Sequence, residues 1–509
     1  MRLVGAAEMR AIERAAFDRL GVHSLDLMER AGRAVTGVAA HLARPGSRFL
    51  VVCGGGNNGG DGWVAARMLH PSGRVKVIAV VAPEELRGDA YEMAARALEA
   101  GVPVQRFVEE VPLGAAAADV VIDAVLGTGL GRAPEGLFAA AIAAIATARR
   151  AGARVLSVDL PSGLSADTGR PLGPCVEADA TVTFGLQKLG LVLHPGVELA
   201  GAVTVADIGL PAAALDEVPE RCRLLEEPEA RALVPPRGRA AHKGDAGRLL
   251  VLAGSPGKTG AAHLALTGAL RGGAGLVTLA ARAEALTLAL GGRPEAMSAA
   301  LEGEGPLAPG DLPALVRLAR AADALVAGPG LHRGPETGRL LHDWLAAAPR
   351  PAVLDADALN ALDPEPAWLG RLDAPVILTP HPGELARLCG LTVEAVQSDR
   401  VGLAMARADA WGVVLVLKGA RTVVAAPGRP AAVIPTGNPG MATGGTGDVL
   451  AGLCGALLAG GLAPFDAARV GAFVHGAAGD LVAGRLGERG LLAGDLGEAI
   501  GQVWARWGR

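Results

Sequence analysis

Aromatic residues are scarce in this chain. Only 3% of its 509 residues are Phe, Trp or Tyr, although 50% are hydrophobic and 73 are glycine. The core must therefore be built from small aliphatic side chains, which suits helices packed on parallel strands. The length also exceeds the roughly 100 to 200 residues of one domain, so we expect two or three α/β domains.

Cysteine is rare as well, and basic residues are not in excess. The cysteines are odd in number, lie far apart and form no CxxC pair; they are Cys53, Cys175, Cys222, Cys389 and Cys454. This usage argues against a disulfide framework or a thiolate zinc site, and is typical of a reducing cytoplasm. A net charge of -4 without a cluster of Lys and Arg argues against nucleic acid as a partner.

Long apolar runs are missing. The first turns of the chain carry charges at Arg2, Glu8 and Arg10, unlike the apolar core of a secretion signal. The most membrane-like run, 449–465, is shorter than the roughly 20 residues of a membrane span and contains Pro464. We therefore expect a cytoplasmic protein without a membrane segment.

The chain is organised around a glycine-rich segment near its C-terminus, TGNPGMATGGTGDVL at 436–450. The run 449–458 predicts a helix, so the amides of residues 444–448 would lie at its N-terminus, where an anion is favoured. Asp448 would repel that anion unless it takes the proton from a hydroxyl that attacks a phosphoryl group. In an isolated motif of this kind, an Asp is more often a helix cap than a catalytic group.

The N-terminal half predicts a parallel sheet wound by helices. Two amphipathic helices (9–42) precede a buried strand (48–53), the turn GGGNNGGDG (54–62) and a helix from Trp63 to Leu69. The turn could bring backbone amides to a phosphate, but its spacing is not the dinucleotide fingerprint, and Asn and Asp also make ordinary turns. Further strands are predicted at 75–81, 120–126, 155–158, 181–184 and 203–206.

Polar residues follow several of these strands. Because ligands bind beyond the carboxyl ends of strands in open α/β sheets, Asn58, Asp123, Asp159 and Ser162 could meet over one crevice. Their oxygens are hard ligands that suit an alkali or alkaline-earth cation.

A proline-containing segment, 210–239, reads as a linker, and we place the boundary near Glu217, with domains at 1–216 and 222–509. A second α/β pattern begins at 248–255 and continues through GKTG at 257–260 into a helix. That segment is two residues too short for a Walker A loop.

Later strands of the second pattern bring His381 and Lys418 to the same sheet edge as Asp448. We expect His381, between two prolines, to have little local partner, and Lys418 ends an apolar strand where a solvated lysine would be out of place. Each alone is more often structural than functional.

From residue 243 onwards, the motifs KGDAGRLLVLAGS, GPGL, LDADALN, LTPHPGE, VLKGARTVV and NPGMATGGTGDVL occur in that order. This half resembles the ADP/ATP-dependent NAD(P)H-hydrate dehydratases of the ribokinase-like fold. Residues 1–210, with EMR, LMERAG, CGGGNNGGDG, DAVLGTGLGR and VDLPSGL, resemble the NAD(P)H-hydrate epimerases of the YjeF N-terminal family. The resemblance covers nearly the whole chain and implies a Rossmann-like N-terminal domain followed by a ribokinase-like domain.

The resemblance implies repair of NADHX and NADPHX, the coenzymes that have taken up water across the 5,6 double bond. The first domain would interconvert the R and S epimers. The second would phosphorylate the S epimer with ADP or ATP and magnesium; phosphate then leaves, and AMP or ADP and the reduced coenzyme result. The choice between ADP and ATP and between the two coenzymes stays open, and we expect a homo-oligomer, with a tetramer as one candidate.

For the C-terminal domain, the resemblance implies that Asp448 accepts the hydroxyl proton, with an ordinary pKa near ~3.9. Ala261, Gly330 and His381 would contact the hydrate. The nucleotide and the transferred phosphoryl group would be bound by Lys418, Gly419, Ala420, Arg421, Thr422, Gly444, Gly445, Thr446 and Gly447.

For the N-terminal domain, the resemblance implies that Asp159 touches the reacting ring as an acid/base. A potassium ion would be held by Asn58, Asp123 and Ser162. The hydrate would be bound by Asn57, Asn58, Gly59, Gly60, Asp61, Gly127, Thr128, Gly129, Leu130, Gly131, Arg132 and Ala133.

Two alternatives remain at this point. The C-terminal half could phosphorylate a small hydroxylated metabolite without a later elimination, and the N-terminal half could be a binding module without catalysis. The segments HPGE and NPGMATGG favour the dehydratase.

Overall fold

The computed structural model describes residues 1–72, 74–109 and 118–509. The chain divides into two compact units, one of residues 2–221 and one of Met1 with residues 222–509. The division lies just C-terminal to Glu217, inside the proline-containing segment.

The N-terminal unit alternates strands with helices. Its strands are β1 (Arg2–Val4), β2 (Phe49–Cys53), β3 (Val75–Ala79), β4 (Val104–Arg106), β5 (Val120–Ala124), β6 (Arg154–Val158), β7 (Ala180–Phe184), β8 (Gln187–Lys188) and β9 (Ala202–Ala206). Its helices are α1 (Ala6–Asp18), α2 (Ser24–Leu42), α3 (Asn57–Leu69), α4 (Gly88–Glu99), α5 (Gly136–Arg150), α6 (Gly196–Leu199) and α7 (Ala212–Asp216).

The predicted parallel sheet is confirmed. Its strand order is β4-β3-β2-β5-β6-β7-β9, and each neighbouring pair is parallel. The register pairs Asp123 with Val52 on one side and with Ser157 on the other. The carboxyl ends of these strands therefore share one edge, as a site in an open α/β sheet requires.

The helix that follows β2 begins earlier than the sequence predicted. It starts at Asn57 rather than Trp63, so most of the glycine-rich turn forms its first turns. A Cβ at Gly59 would lie 2.1 Å from the carbonyl oxygen of Gly54, and one at Gly62 would lie 2.5 Å from the Cβ of Ala124. These glycines therefore let the helix pack closely on the turn and the sheet, which local spacing could not reveal.

The C-terminal unit repeats the α/β alternation. Its strands are β10 (Cys222–Leu224), β11 (Arg248–Leu252), β12 (Leu276–Arg282), β13 (Met297–Leu301), β14 (Ala324–Ala327), β15 (Ala352–Leu354), β16 (Val376–Leu378), β17 (Val414–Leu417), β18 (Val423–Ala425) and β19 (Ala431–Val433). Its helices are α8 (Glu227–Ala232), α9 (Thr259–Arg271), α10 (Ala283–Ala289), α11 (Leu312–Arg320), α12 (Pro335–Ala347), α13 (Asp357–Ala361), α14 (Pro382–Cys389), α15 (Val393–Ser398), α16 (Arg400–Trp411), α17 (Thr446–Ala459), α18 (Pro464–Leu486) and α19 (Leu496–Trp507).

The sheet of this unit runs β13-β12-β11-β14-β15-β16-β17-β18-β19-β10. It is parallel from β13 to β17 and antiparallel where β18 pairs with β17 and β19. Register places Leu354 opposite Leu378, so that Asp355 and Thr379, the next residues, emerge together at the carboxyl edge.

The helix that carries Asp448, α17, is central to the core. Every residue from Val449 to Ala459 is buried. A Cβ at Gly452 would lie 1.9 Å from the carbonyl oxygen of Ala265, so α17 contacts α9 backbone to backbone. The glycines of this helix thus allow its backbone to lie against α9 within the core. Among the described residues, no helix combines the length and apolar composition that a membrane crossing requires.

Candidate active sites

The glycine-rich loop of the C-terminal unit ends in the first turn of α17. Gly445 has φ 95°, a left-handed conformation that favours glycine, and Asp448 lies in the first turn that follows. His475 of α18 hydrogen-bonds through Nε2 to the carbonyl oxygen of Thr446 at 2.8 Å. Burial lowers the pKa of His475 to about 4, so a neutral imidazole donates this bond and fixes the start of α17.

Lys418, which follows β17, is an ion-pair partner of Asp355. Its Nζ lies 2.6 Å from Asp355 Oδ1 and 4.0 Å from a carboxylate oxygen of Glu384. Burial alone would lower the pKa of Lys418, but these carboxylates outweigh burial and raise it. A Cβ at Gly447 would lie 3.1 Å from Nζ, so the ammonium group also borders the phosphate loop.

The expectation that Asp448 has an ordinary pKa is wrong. Burial first, and then the negative charge of Asp355, raise the pKa of Asp448 to about 7, although Lys418 opposes the shift. The sequence could not show this, because the neighbours responsible are brought near only by folding. A carboxylate of this pKa is matched to accepting a proton near neutral pH.

His381 has local partners, contrary to the expectation from its two flanking prolines. Its Nδ1 accepts hydrogen bonds from the amides of Gly383 at 3.0 Å and Glu384 at 3.3 Å, which caps α14. Glu384 in return accepts a bond from the His381 amide at 2.8 Å. The same ring places Nε2 3.5 Å from Glu384 Oε1, so Glu384 faces both the His381 amide and the His381 imidazole, whose side chain is 56% exposed.

Two other predicted hydrate ligands lie together. Ala261 is in the first turn of α9 and Gly330 follows β14, and a Cβ at Gly330 would lie 3.0 Å from the Cβ of Ala261. The predicted nucleotide segment 419–422 follows Lys418. There Arg421 adopts φ 57° and donates from Nη1 to the carbonyl oxygen of Pro435 at 3.1 Å, so its guanidinium supports the loop.

In the N-terminal unit, a cavity of about 650 Å³ opens above the sheet edge. Most predicted hydrate ligands line it: Asn57, Asn58, Asp61, Gly127, Thr128, Gly129, Leu130, Gly131 and Arg132. Gly59, Gly60 and Ala133 are absent from the lining; a Cβ at Gly60 would meet the Met28 sulfur at 2.6 Å. Glycine at 59 and 60 therefore serves helix packing.

Asp159 lies in this cavity and is paired with Lys188, a residue that the sequence analysis missed. Lys188 Nζ is 2.6 Å from Asp159 Oδ1 and donates to the carbonyl oxygen of Phe184 at 2.9 Å. Thr183 donates to Oδ1 at 3.0 Å and Thr128 to Oδ2. Lys188 could have been noticed in the sequence because it is a single lysine in an apolar stretch, which is the feature that drew attention to Lys418.

These contacts determine the charge of Asp159. Burial alone would raise its pKa, but Lys188 and the two threonine hydroxyls outweigh burial, so the pKa is lowered and the side chain is a carboxylate. Its backbone has φ 64°, a strained conformation for a residue other than glycine. Two further acids line the cavity, and burial raises the pKa of Glu13 and raises that of Asp61 well above its ordinary value.

The predicted potassium ligands converge on one turn. Asp123 is fully buried and accepts hydrogen bonds from Ser157 Oγ at 2.9 Å and from Ser162 Oγ at 2.6 Å. The Leu126 amide donates to Ser162 Oγ at 2.8 Å, and a Cβ on the next residue, Gly127, would lie 2.9 Å from Asn58 Oδ1. Asn58 Oδ1 is buried without a hydrogen-bond partner among the described residues. The unpartnered amide oxygen of Asn58 is a hard donor of the kind that fits K⁺, while burial raises the pKa of Asp123 above its ordinary value.

The C-terminal unit also offers an oxygen for a divalent cation. Asp355 Oδ1 is occupied by Lys418 and by Thr379 Oγ1 at 2.7 Å, whereas Oδ2 is buried without a hydrogen-bond partner among the described residues. A Cβ at Gly447 would lie 3.8 Å from Oδ2. One carboxylate oxygen beside a phosphate loop is the protein contribution that Mg²⁺ needs when a nucleotide supplies the rest.

A mostly parallel α/β unit in which a glycine-rich loop leads into a buried central helix defines the ribokinase-like class of fold. Residues 249–502 match the family model described as NAD(P)H-hydrate dehydratase, and residues 24–190 match the YjeF-related protein N-terminus. The chain belongs to the family of bifunctional NAD(P)H-hydrate repair enzymes.

The relatives that show this membership carry both halves. The bifunctional NAD(P)H-hydrate repair enzyme Nnr of Moorella thermoacetica is 44% identical over 507 residues, covering 97% of this chain and 95% of that protein. The enzyme of the same name from Escherichia coli is 38% identical over 499 residues, covering 98% and 93%. These matches favour repair over a metabolite kinase joined to a non-catalytic module.

A solved structure matches the C-terminal unit. It is the ADP/ATP-dependent NAD(P)H-hydrate dehydratase of Bacillus subtilis, co-crystallised with ATP and Mg²⁺. That chain is 33% identical, with a TM-score of 0.50, and the match covers 56% of this chain and 99% of that one. The ribokinase-like fold implied by the sequence motifs is thereby confirmed.

Proposed function

We propose that this chain repairs NADHX and NADPHX in two reactions. Residues 1–216 interconvert the R and S epimers at C6 of the hydrated ring. Residues 222–509 dehydrate the S epimer with ADP or ATP, giving AMP or ADP, phosphate and the reduced coenzyme. Family membership and the two separate sites support this division, and separate expression of the two segments tests the domain limits.

The observation that carries the dehydratase assignment is Asp448 in the first turn of α17, beside Lys418. Asp448 accepts the C6 hydroxyl proton as that oxygen attacks the terminal phosphoryl group, which the amides of residues 444–447 bind. Lys418 and the 419–422 segment hold the remaining nucleotide phosphates and the ribose. Phosphate then leaves C6 and a proton leaves C5, which restores the 5,6 double bond.

In this unit, the hydrate is bound by Ala261, Gly330 and His381. The first two lie side by side, and the His381 ring, whose Nε2 is 3.5 Å from Glu384 Oε1, has a side chain that is 56% exposed and can contact the hydrate. Mg²⁺ would be held by Asp355 together with the nucleotide. When bound, the ion neutralises phosphoryl oxygens.

In the N-terminal unit, Asp159 is the proposed acid/base. Lys188 keeps it ionised, so that it can take the C6 hydroxyl proton as the C6–N1 bond breaks and its electron pair moves to N1. Attack of N1 on the other face of the resulting C6 carbonyl, with return of the proton to the oxygen, gives the other epimer. Lys188 is a second functional residue of this site. Asn58, Asp123 and Ser162 would hold K⁺, whose charge would offset that of the buried Asp123 carboxylate.

Incubation with chemically prepared NADH hydrate tests the proposal. With ADP or ATP, the absorbance of the reduced nicotinamide should rise and one phosphate should appear per coenzyme restored. Phosphorylated hydrate that accumulates without restored coenzyme would identify a kinase instead. Omitting each nucleotide in turn decides between ADP and ATP.

We also propose a cytoplasmic homo-oligomer. The cysteines at 53, 175, 222, 389 and 454 form no disulfides, which suits a reducing compartment. Leu288 and Leu492 expose 70% and 65% of their surface, which would be covered in an oligomer. Light scattering of the purified chain measures the oligomeric state.

A further inference from the structure

A second cationic centre lies in the C-terminal unit, apart from Lys418. Lys258 Nζ is 2.8 Å from Asp357 Oδ2 and 3.0 Å from the carbonyl oxygen of Leu331. Arg333 Nε is 2.6 Å from Asp357 Oδ1. One carboxylate therefore holds two cations, and the cluster carries a net charge of about +1 at neutral pH.

The exposure of the three side chains is uneven. Asp357 is 8% exposed, whereas Lys258 is 44% and Arg333 is 67% exposed. Asp357 uses only the Nε of Arg333, which leaves the two terminal amino groups of the guanidinium facing solvent, and Lys258 keeps a third N–H. A buried carboxylate that orients cationic donors outward pre-organises them for an anion, which lowers the entropy lost on binding.

The cluster borders the proposed hydrate site. A Cβ at Gly330 would lie 2.5 Å from the carbonyl oxygen of Lys258 and 3.0 Å from the Cβ of Ala261. Asp357 is also two residues from Asp355, across the turn at Ala356, where φ is 50°. Lys258 and Arg333 thus approach the crevice from the side of Ala261 and Gly330, while Lys418 approaches from the side of the nucleotide loop.

We propose that Lys258 and Arg333 bind a phosphate group of the hydrated coenzyme, with Asp357 as their positioning residue. The inference rests on the proposed dehydratase function. That reaction has two anionic substrates, and the loop at 444–447 with Lys418 already serves the nucleotide. The second centre is therefore assigned to the other substrate, the hydrated coenzyme. Both NADHX and NADPHX contain a diphosphate, and NADPHX alone also contains a 2′-phosphate.

Arg333→Met and Lys258→Met test the site, with Arg339→Met as a matched control because Arg339 is an exposed arginine on the adjoining helix α12. KM and kcat are measured for NADHX and NADPHX separately at saturating nucleotide. We expect KM for the coenzyme to rise about tenfold to a hundredfold, the effect of losing a hydrogen bond to a charged group, with little change in kcat. Arg333→Lys should give an intermediate KM, since it keeps the charge but loses the planar fork.

The two coenzymes identify the phosphate. A higher KM for both NADHX and NADPHX identifies the diphosphate as the bound group. A higher KM for NADPHX alone identifies the 2′-phosphate. Unchanged KM for both coenzymes, or a rise confined to ADP and ATP, overturns the proposal. Melting temperatures verify folding, and Lys258→Gln provides a second variant if Lys258→Met is unstable.

Fluorescence titration with NADPH separates this inference from the proposed function, because it needs no turnover. The N-terminal site contributes equally to every variant, so the difference between Arg333→Met and Arg339→Met reports the cluster. Weaker binding in Arg333→Met, in a protein whose wild type fails to dehydrate the hydrate, would keep the phosphate site and reject the reaction. Equal binding in both variants would reject the phosphate site.

Discussion

The ammonium group of Lys418 lies 2.6 Å from the carboxylate of Asp355, and the two side chains expose only 18% and 1% of their surface. The carboxylate is therefore the partner that Lys418 holds in the folded chain. The family resemblance implied that Lys418 binds the nucleotide. The ion pair adds a structural role, and the position of Nζ beside Gly447 is the one that the proposed nucleotide role requires.

Lys418→Met should therefore weaken both stability and nucleotide binding. It leaves the Asp355 charge buried without its partner, which costs about 3–5 kcal/mol in the free energy of unfolding. The double variant Lys418→Met/Asp355→Asn should recover part of that loss without recovering nucleotide affinity. Chemical denaturation and the KM for ADP and ATP are the measurements, and a single variant with wild-type stability would contradict the pairing.

The rate of phosphoryl transfer should fall as the pH is lowered through about 7. Asp448 accepts the proton only as a carboxylate, and its pKa is raised to about 7 by burial and by Asp355. Asp448→Asn should be roughly 10²- to 10⁴-fold slower than the wild type above pH 7 and show no inflection there, so the two rates approach each other as the pH falls. Single-turnover rates between pH 5 and 9 measure this; a wild-type profile that is flat down to pH 5 would show that Asp448 is not the titrating base.

The raised pKa of Asp448 also predicts that the free energy of unfolding and the rate of phosphoryl transfer respond to pH in opposite directions. Because the folded-state pKa of Asp448 lies above the unfolded value, the native state binds the extra proton, and stability is lost as the pH rises through about 7. Asp448→Asn removes that loss and should be more stable than the wild type at pH 8, by roughly 2 kcal/mol. The advantage should vanish at pH 4, so denaturation at both pH values checks the sign.

Epimer exchange should depend on Asp159 and Lys188 but not on Asp448. Asp159→Asn removes the proton acceptor, and Lys188→Met removes the cation that keeps Asp159 ionised, so in each the R epimer should be consumed only at the uncatalysed rate. Repair of the S epimer should stay rapid. Chromatography of both epimers, with and without nucleotide, tests this; loss of both activities in a folded Asp159→Asn protein would refute the division.

Replacing K⁺ should impair epimer exchange selectively. Asn58 supplies a buried oxygen that has no hydrogen-bond partner in the part of the chain that the structure describes, so Li⁺ in place of K⁺ should slow the exchange, as should Asn58→Ala with K⁺ present. Dehydration of the pure S epimer by the same samples is the internal control. Equal exchange rates in the two salts would argue against a cation at these residues.

The residues alone predicted much of the architecture. Alternating buried strands and helices made the parallel sheets predictable, since hydrophobic periodicity is a local property of the chain. The end of β2 at Cys53 agrees with its predicted position, whereas α17 begins at Thr446, three residues before the predicted start at Val449. The motifs and their order also indicated the family. Each motif is a short run of consecutive residues, so it can be recognised without knowledge of the fold.

The tertiary structure decided the chemistry of the sites. The pKa of Asp448 and the ion pair between Asp159 and Lys188 depend on burial and on residues far apart in the chain, which no local pattern encodes. His381 became a helix cap, and the glycines at 59 and 62 became packing positions, because the meeting of elements determines which atoms approach. Sequence thus determined which residues reach the sheet edges; folding determined their charges, their partners and the space around them.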